Sequence, residues 1–210
     1  MSGAAAGPAA AATRPTFAEA TRELLRARVL DGADDLLRER PWAAISMADI
    51  AKAGGVSRQT VYNEFGSREA FAQEYVLREA DRFLAAVRDT VLAHRDDPRT
   101  AVQSAFALFL EAAAERPLIR AIASGDGTDG LLALVTTEGG PVLGIATASL
   151  DGVMHEGWPQ TDPEQTRLLA ESVVRLAISH AALPSGGPGQ TAADVTALIG
   201  PYIDEVLRRA

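Results

Sequence analysis

The sequence contains no cysteine. Disulfide frameworks, thiolate metal sites and cysteine nucleophiles are therefore excluded. It also has no run of about 18 apolar residues free of charge and glycine, which a membrane-spanning helix would need. These two absences fit a cytoplasmic protein that does not cross a membrane.

Patterns typical of enzymes are missing as well. The three histidines are far apart and form no HxxxH pair, so a catalytic zinc site is not expected. Gly125, Gly127 and Gly130 have the spacing of a dinucleotide-binding turn, but no convincing strand precedes them. The GxSxG motif of many hydrolases does not occur. We therefore expect neither enzymatic activity nor a metal or cofactor.

An excess of positive charge, which DNA-binding proteins use to neutralise phosphates, is also missing, since the formal net charge is -8. Residues 1–72 contain nine basic and nine acidic residues, so the whole negative excess lies beyond residue 72. This distribution predicts a neutral N-terminal region joined to an acidic second domain. If the first region binds DNA, one copy should bind weakly, and two copies on one site should be needed.

Residues 46–71 have the pattern of a helix-turn-helix. Ser46 followed by Asp49 indicates a capped helix start, and Gly54-Gly55 can supply the left-handed turn that ends this helix. Ser57 is expected to cap a second helix, from Arg58 to about Glu64. The outward face of that helix combines a cation, hydroxyls and amides, which can read base edges in a major groove. These residues are Arg58, Gln59, Thr60, Tyr62 and Asn63.

The order of residues in this segment resembles the DNA-binding segment of the TetR family of transcriptional repressors. The matching positions are Ile50, Ala51, Gly55, Val56, Ser57, Val61, Tyr62, Phe65, Ser67 and Glu69. Arg68 replaces the usual lysine, and Glu64 stands where a neutral or basic residue is common, so its carboxylate should repel phosphates. We expect base contact from Gln59 and Thr60, with Arg58 at a base or a phosphate and Tyr62, Ser46 and Arg68 at phosphates. Ser57 and Asn63 complete the expected DNA-binding set.

The resemblance implies an all-α regulator, most simply a repressor, which binds a palindromic operator as a homodimer. Helical periodicity along the chain gives about nine helices. We expect a disordered arm over residues 1–15, a DNA-binding domain over 16–72, and a ligand-binding and dimerisation domain over 73–210. A long helix from Arg68 to His94 should join the two domains. The alternative is a helical lipid-binding or protein-interaction module without specific DNA binding, which Glu64 and the neutral N-terminal region favour.

The middle of the chain is rich in apolar residues that form either a plain core or, as the resemblance implies, a ligand cavity. Its occupant would then be a hydrophobic small molecule, such as a fatty acid or another lipid-like compound. Arg120 and Arg175 are the cations nearest to this set, and each either receives a carboxylate or forms an ordinary surface salt bridge. The expected apolar lining is Phe83, Val87, Phe106, Phe109, Leu110, Ile122, Leu143, Met154 and Trp158.

The last two predicted helices carry apolar stripes that look too broad for one buried face. A helix with such a stripe can pack on its own core and on a partner, and the resemblance implies a four-helix dimer interface. The alternative is a wider core within one chain. The stripe residues are Leu169, Val173, Leu176, His180, Val195, Ile199, Tyr202 and Val206.

Overall fold

The computed structural model describes residues 16–116 and 140–207. Within these ranges every regular element is helical, which confirms the all-α prediction. The α-helices are α1 (Phe17–Glu39), α2 (Met47–Gly54), α3 (Arg58–Phe65), α4 (Arg68–Ala93), α5 (Pro98–Glu115), α6 (Gly140–Gly157), α7 (Pro163–Ala182) and α8 (Pro188–Leu207), and a 3-10 turn spans Trp42–Ala44. The apolar stretches at residues 118–123 and 131–135 predict two short helices, and both lie outside the described residues.

Side-chain caps fix the starts of the helices. Ser46 accepts a hydrogen bond from the Asp49 amide, and the Asp49 carboxylate accepts one from the Ser46 amide, which is the predicted capping box. Ser57 and Ser67 cap α3 and α4 by accepting hydrogen bonds from the amides of Thr60 and Ala70. Gly55 ends α2 with φ 67°, a left-handed conformation that glycine adopts without strain. These local signals place the helix-turn-helix where the sequence predicts it.

The last helix begins earlier than expected. The glycines and prolines between Pro184 and Gln190 predict a linker, and Thr191 with Asp194 predicts the helix start, but α8 begins at Pro188. Proline is tolerated in a first helical turn because the N–H group it lacks would have no intrahelical partner there. Helix α8 is therefore about one turn longer at its N-terminus than the sequence pattern indicated.

Two hydrophobic cores form, and α4 contributes to both. The first core is built by α1 to α3 and the start of α4, where Phe71 and Tyr75 are buried. The second is built by α5 to α8 and includes Val91, near the end of α4. One continuous helix thus joins the helix-turn-helix to the larger helical body. In the described ranges, no helix has both the length and the apolarity to cross a membrane.

Helices α1 and α2 approach each other closely at two glycines. A Cβ atom on Gly32 would lie 2.9 Å from the backbone carbon of Ala53, and one on Gly54 would lie 2.9 Å from Cγ2 of Val29. Real Cβ atoms essentially never lie within 3.0 Å of another heavy atom, so a side chain at Gly32 or Gly54 would force α1 and α2 apart. The contact sets the position of α2, and hence of α3, against α1.

Candidate functional site

Helix α3 is anchored by one face and presents the other to solvent. Val61 and Phe65 are buried in the first core, and Ser57 caps the helix by accepting from the Thr60 amide at 3.0 Å. The predicted DNA-binding residues Arg58, Gln59 and Asn63 are exposed on this helix, and Thr60 and Tyr62 are half-buried. The structure therefore brings five of the predicted residues together on one accessible face.

Side chains on this face form two pairs, each one helical turn apart. The Arg58 guanidinium lies 5.3 Å from the centre of the Tyr62 ring and donates a hydrogen bond to the Tyr62 hydroxyl at 3.4 Å. Gln59 Nε2 donates to Asn63 Oδ1 at 2.8 Å. Thr60 belongs to neither pair, because its hydroxyl lies 2.8 Å from Ser57 Oγ. The sequence places these residues on one face but does not show which of them bind each other.

A shallow hollow lies between α3 and the N-terminus of α2. Ser46, Met47, Arg58, Tyr62 and Arg68 are among the residues that line it. Backbone N–H groups in the first turn of a helix attract anions, and two arginines and a tyrosine add further donors. The Ser46 hydroxyl already donates to Asp49 Oδ2 at 2.6 Å, so it has no proton left to donate to a phosphate. The hollow has the shape and donors of a phosphate site.

Arg68 is more constrained than the sequence predicts. One of its Nη atoms donates to the backbone carbonyls of Trp42 at 2.6 Å and Ile45 at 3.3 Å. The guanidinium also lies over the Trp42 ring, 4.2 Å from its centre. Arg68 therefore supports the turn before α2 and reaches the hollow only with its remaining donors.

Glu64 points away from the exposed face and is bound by α1. Its Oε2 lies 2.6 Å from Arg22 Nε and 3.4 Å from an Nη atom of Arg26. The hydrogen bond from Arg22 is the main cause that lowers the pKa of the Glu64 carboxyl. Arg26 also pairs with Glu74 and stacks over Phe65, 4.4 Å from its centre. The expected repulsion of phosphates by Glu64 is thus offset by two arginines.

A second site is an apolar cavity of about 280 Å³ between α4, α5, α6 and α7. Four residues of the predicted lining, Phe83, Val87, Phe106 and Phe109, line it. From α6 the sequence predicts Leu143 and Met154, but the residues of α6 that line the cavity are those at positions 146, 149, 150 and 153, which have the spacing of one helical face. Val174 and Ile178 of α7 also line it and are not among the predicted ligand-binding residues. The cavity is almost wholly hydrocarbon, with Arg88 and Ser149 as the polar residues among those described.

Other predicted ligand-binding residues lie elsewhere. Leu110, Met154 and Trp158 are buried in the second core beside the cavity, and Trp158 donates from its indole nitrogen to the Arg95 carbonyl at 3.0 Å. Leu143 is half-buried on α6 and does not line the cavity. Arg175 is exposed and pairs with Glu171 at 2.8 Å, which is the surface salt bridge considered as its alternative. Arg120 and Ile122 lie outside the described residues.

Arg88 is the cation that the structure places at the cavity. Its Nε donates to Glu156 Oε2 at 2.8 Å, in a two-point contact between α4 and α6. The Arg88 side chain remains about half exposed, so the pair lies where the cavity meets solvent. A negatively charged ligand group, such as a carboxylate, at this position would compete with Glu156 for the Arg88 guanidinium.

The apolar stripes predicted for the dimer interface mostly face the chain's own core. Leu169, Val173, Val195 and Val206 are buried in the second core, and Val173 also lines the cavity. Leu176, Ile199 and Tyr202 pack against this core, and the His180 ring lies 6.1 Å from that of Phe106. This corrects the prediction for the four buried residues, which have almost no surface left for a partner. Among the large apolar side chains of α7 and α8, Leu168 and Leu198 remain exposed, at 55% and 77%.

Comparison with known proteins agrees with this architecture. The sequence profile of the bacterial regulatory proteins of the tetR family matches residues 29–75, and that of the bacterial tetracyclin repressor C-terminal domain matches residues 97–201. The HTH-type transcriptional regulator AlkX of Mycobacterium tuberculosis H37Rv is 38% identical over 191 residues, covering 91% of this chain and 90% of AlkX. The chain belongs to the TetR family. It is therefore a transcriptional regulator and not an enzyme, as the sequence predicted.

Solved structures of TetR-family proteins share the fold. The TetR-family repressor AlkX from Dietzia sp. strain DQ12-45-1b, implicated in biodegradation of n-alkanes, superposes with a TM-score of 0.64 and 37% identity. The match covers 87% of this chain and 96% of that one. A TetR-family regulator from Pectobacterium atrosepticum superposes with a TM-score of 0.58 at 19% identity, over 89% and 96% of the two chains, and supports the fold alone.

Proposed function

We propose that this TetR-family regulator is a repressor that binds a roughly palindromic operator as a homodimer and is released by an apolar small molecule. The observation that carries the proposal is the exposed polar face of α3 beside the hollow at the N-terminus of α2. In such an arrangement the second helix of the motif enters the major groove, and the first lies against the backbone. The two α3 helices of a dimer would then lie about 34–36 Å apart, in successive major grooves.

The contacts follow from the positions of the side chains. Arg58 and Tyr62 line the hollow, so they are placed to bind a phosphate together with the first-turn amides of α2. Gln59 and Asn63 lie outside the hollow lining and are exposed, so they are free to reach base edges. Thr60 has its hydroxyl bound to Ser57, which leaves its methyl group for a thymine methyl.

Dimerisation would use the outer faces of α7 and α8. Leu168 and Leu198 are exposed there, although large apolar side chains are more often buried. Helices α7 and α8 also contact each other within the chain, so they can present one joint surface. Pairing this surface with that of a second copy would give a four-helix interface, two helices from each subunit.

The cavity supports an aliphatic ligand, with a fatty acid or other lipid-like molecule favoured. Phenylalanine, valine and leucine side chains form most of its wall, which leaves little to bind a polar ligand. The relationship to AlkX of Dietzia, which is implicated in n-alkane biodegradation, points in the same direction. Arg88 replaces Arg120 and Arg175 as the proposed partner for a carboxylate, because it is the cation that lines the described cavity.

Helix α4 connects the cavity to the DNA-binding region. Its Phe83 and Val87 line the cavity, and its Phe71 is buried in the first core. Arg78 and Arg82 of α4 both pair with Asp31 of α1, at 2.9 Å and 3.1 Å. A ligand that fits one position of α4 better than another would therefore shift the separation of the two α3 helices. The loss of operator affinity then depends on how much more tightly the ligand binds one position of α4 than the position that allows operator binding.

A mobility-shift assay with the DNA that flanks the protein's own gene tests this proposal. The full chain should shift this DNA at fixed salt, and dodecanoate should release it. Gln59→Ala with Tyr62→Phe should abolish the shift without changing the helical circular dichroism. Mass spectrometry of an organic extract of the purified protein would show whether a lipid is bound. A bound lipid with no DNA shift would instead support the alternative, a lipid-binding module without specific DNA binding.

A further inference from the structure

The two side-chain pairs on α3 differ in position. Arg58 and Tyr62 line the hollow at the N-terminus of α2, where a phosphate would bind, whereas Gln59 and Asn63 do not. Thr60 is held by its bond to Ser57. Gln59 and Asn63 are thus the exposed amides on α3 that the phosphate hollow does not use.

We infer that Gln59, oriented by Asn63, reads an adenine in each half of the operator. This inference rests on the proposed function, the binding of operator DNA. It adds to that function that the two pairs on α3 have different roles. Arg58 and Tyr62 bind the DNA backbone, whereas Gln59, positioned by Asn63, reads a base.

The hydrogen-bonding groups left on Gln59 determine the base. Its Nε2 has two hydrogens, and one is donated to Asn63 Oδ1 at 2.8 Å. One N–H and the Oε1 carbonyl remain, which form a donor and an acceptor side by side. The major-groove edge of adenine offers the complementary N7 acceptor and N6 donor. Guanine offers two acceptors, so its O6 would face the carbonyl of Gln59 without a proton between them.

Asn63 is a positioning residue in this arrangement. If the Gln59 amide alone turned over, its carbonyl would face Asn63 Oδ1, and the hydrogen bond would return only if the Asn63 amide turned over as well. The bond therefore couples the orientations of the two amides before DNA is bound, and the observed pair of orientations suits adenine. Side-chain pairs one turn apart on an exposed helix contribute little free energy. Asn63 should therefore strengthen the preference for adenine, whereas Gln59 is its source.

Selection from a pool of double-stranded oligonucleotides with randomised positions, followed by competition titrations at fixed salt, tests the inference with the full chain. The wild type should enrich an A·T pair at one position of each half-site and prefer it roughly 5- to 150-fold over the other pairs. Gln59→Ala should lose the preference at that position only. Gln59→Glu should move it to C·G, since a carboxylate accepts from the cytosine amino group.

Variants of Asn63 separate positioning from direct reading. Asn63→Ala should weaken the adenine preference roughly twofold, at the position that Gln59→Ala affects. The carboxylate introduced by Asn63→Asp can only accept hydrogen bonds, so this variant should keep the preference for adenine. Its overall affinity for DNA should fall, because the phosphates repel the new negative charge. Gln190→Ala is a matched control, since it removes an equivalent bond to Asp194, of 2.7 Å, on α8. This control should leave the preference unchanged.

Two results would overturn the inference while leaving the proposed function in place. One is an unchanged adenine preference in Gln59→Ala, and the other is an effect of Asn63→Ala at a different operator position. If the wild type enriched no sequence at all, the proposed function would fail, and the inference with it.

Discussion

Arg22 on α1 holds the carboxylate of Glu64 on α3, with 2.6 Å between Nε and Oε2. The pair keeps a negative charge off the face of the helix that is proposed to enter DNA. The effect of Glu64 on DNA binding is therefore expected to depend on Arg22.

Removal of Arg22 should weaken operator binding, because the Glu64 carboxylate then loses this partner and can repel the DNA phosphates. We expect Arg22→Ala to lower the affinity about two- to tenfold at low salt, with a smaller effect as salt screens the charges. Glu64→Gln should raise the affinity, since a negative charge near the phosphates is removed. Fluorescence anisotropy over a salt series measures both. If Arg22→Ala were equally harmful in the Glu64→Gln background, Arg22 would contact DNA directly, and the indirect role would be wrong.

The capping box of α2 predicts an acid-dependent loss of stability. Hydrogen bonds from Ser46 lower the pKa of Asp49 from 3.8 to about 2, with a smaller contribution from Arg40. Because the pKa is depressed in the folded state, the stabilisation is complete above 3.8 and is lost as the pH falls from 3.8 towards 2. Asp49→Asn should therefore lower the urea midpoint at pH 7, and the difference from wild type should shrink across that window. A difference independent of pH would contradict this assignment.

Tyr75 links α4 to α1 inside the first core. Its hydroxyl donates to Asp34 Oδ1 at 2.8 Å, and the side chain is 1% exposed. Tyr75→Phe keeps the ring but leaves the buried side of the carboxylate without its donor. We expect a loss of about 1.5–3 kcal/mol in the free energy of unfolding, the range for hydrogen bonds to charged groups. Urea denaturation measures it, and a loss below about 0.5 kcal/mol would mean that water replaces the hydroxyl.

Leu198 is the most direct test of the proposed dimer surface. It is 77% exposed in the single chain, so Leu198→Glu should not disturb the fold. If α8 pairs with a second copy, the charge should shift the protein from dimer to monomer in analytical ultracentrifugation. Leu77→Glu is a matched control on α4, since Leu77 is 60% exposed. An unchanged mass for Leu198→Glu would place the interface elsewhere.

The starts of α2, α5 and α7 were predictable because their signals are local. The pair Ser46 and Asp49, and the Asp-Pro sequences at residues 97–98 and 162–163, act within one helical turn, and each lies at a helix start. The exposed face of α3 is also predicted by a local pattern, because Val61 and Phe65, one helical turn apart, identify the buried side. For α3, sequence alone was enough to predict both the helix and its exposed residues.

Contacts between distant residues were not predictable. Arg68 stacks on Trp42, and Glu64 is held by Arg22, through packing that brings together residues 26 and 42 positions apart. Apolar periodicity on α7 likewise cannot distinguish a stripe that faces the chain's own core from one that faces a partner. The pattern therefore predicts Leu169 and Val173 at an interface, whereas in the structure they lie in the core.

Occupation of the apolar cavity is proposed to change operator affinity through α4. The decisive measurement is a titration of a fluorescent operator with the full chain at fixed salt, with and without saturating dodecanoate. Ala146 lines the cavity on α6, so Ala146→Trp should fill it and give a protein that binds the operator but no longer responds to the ligand. Dodecanoate should weaken operator binding by the wild type and not by Ala146→Trp. Equal operator affinity of the wild type with and without bound dodecanoate would contradict it.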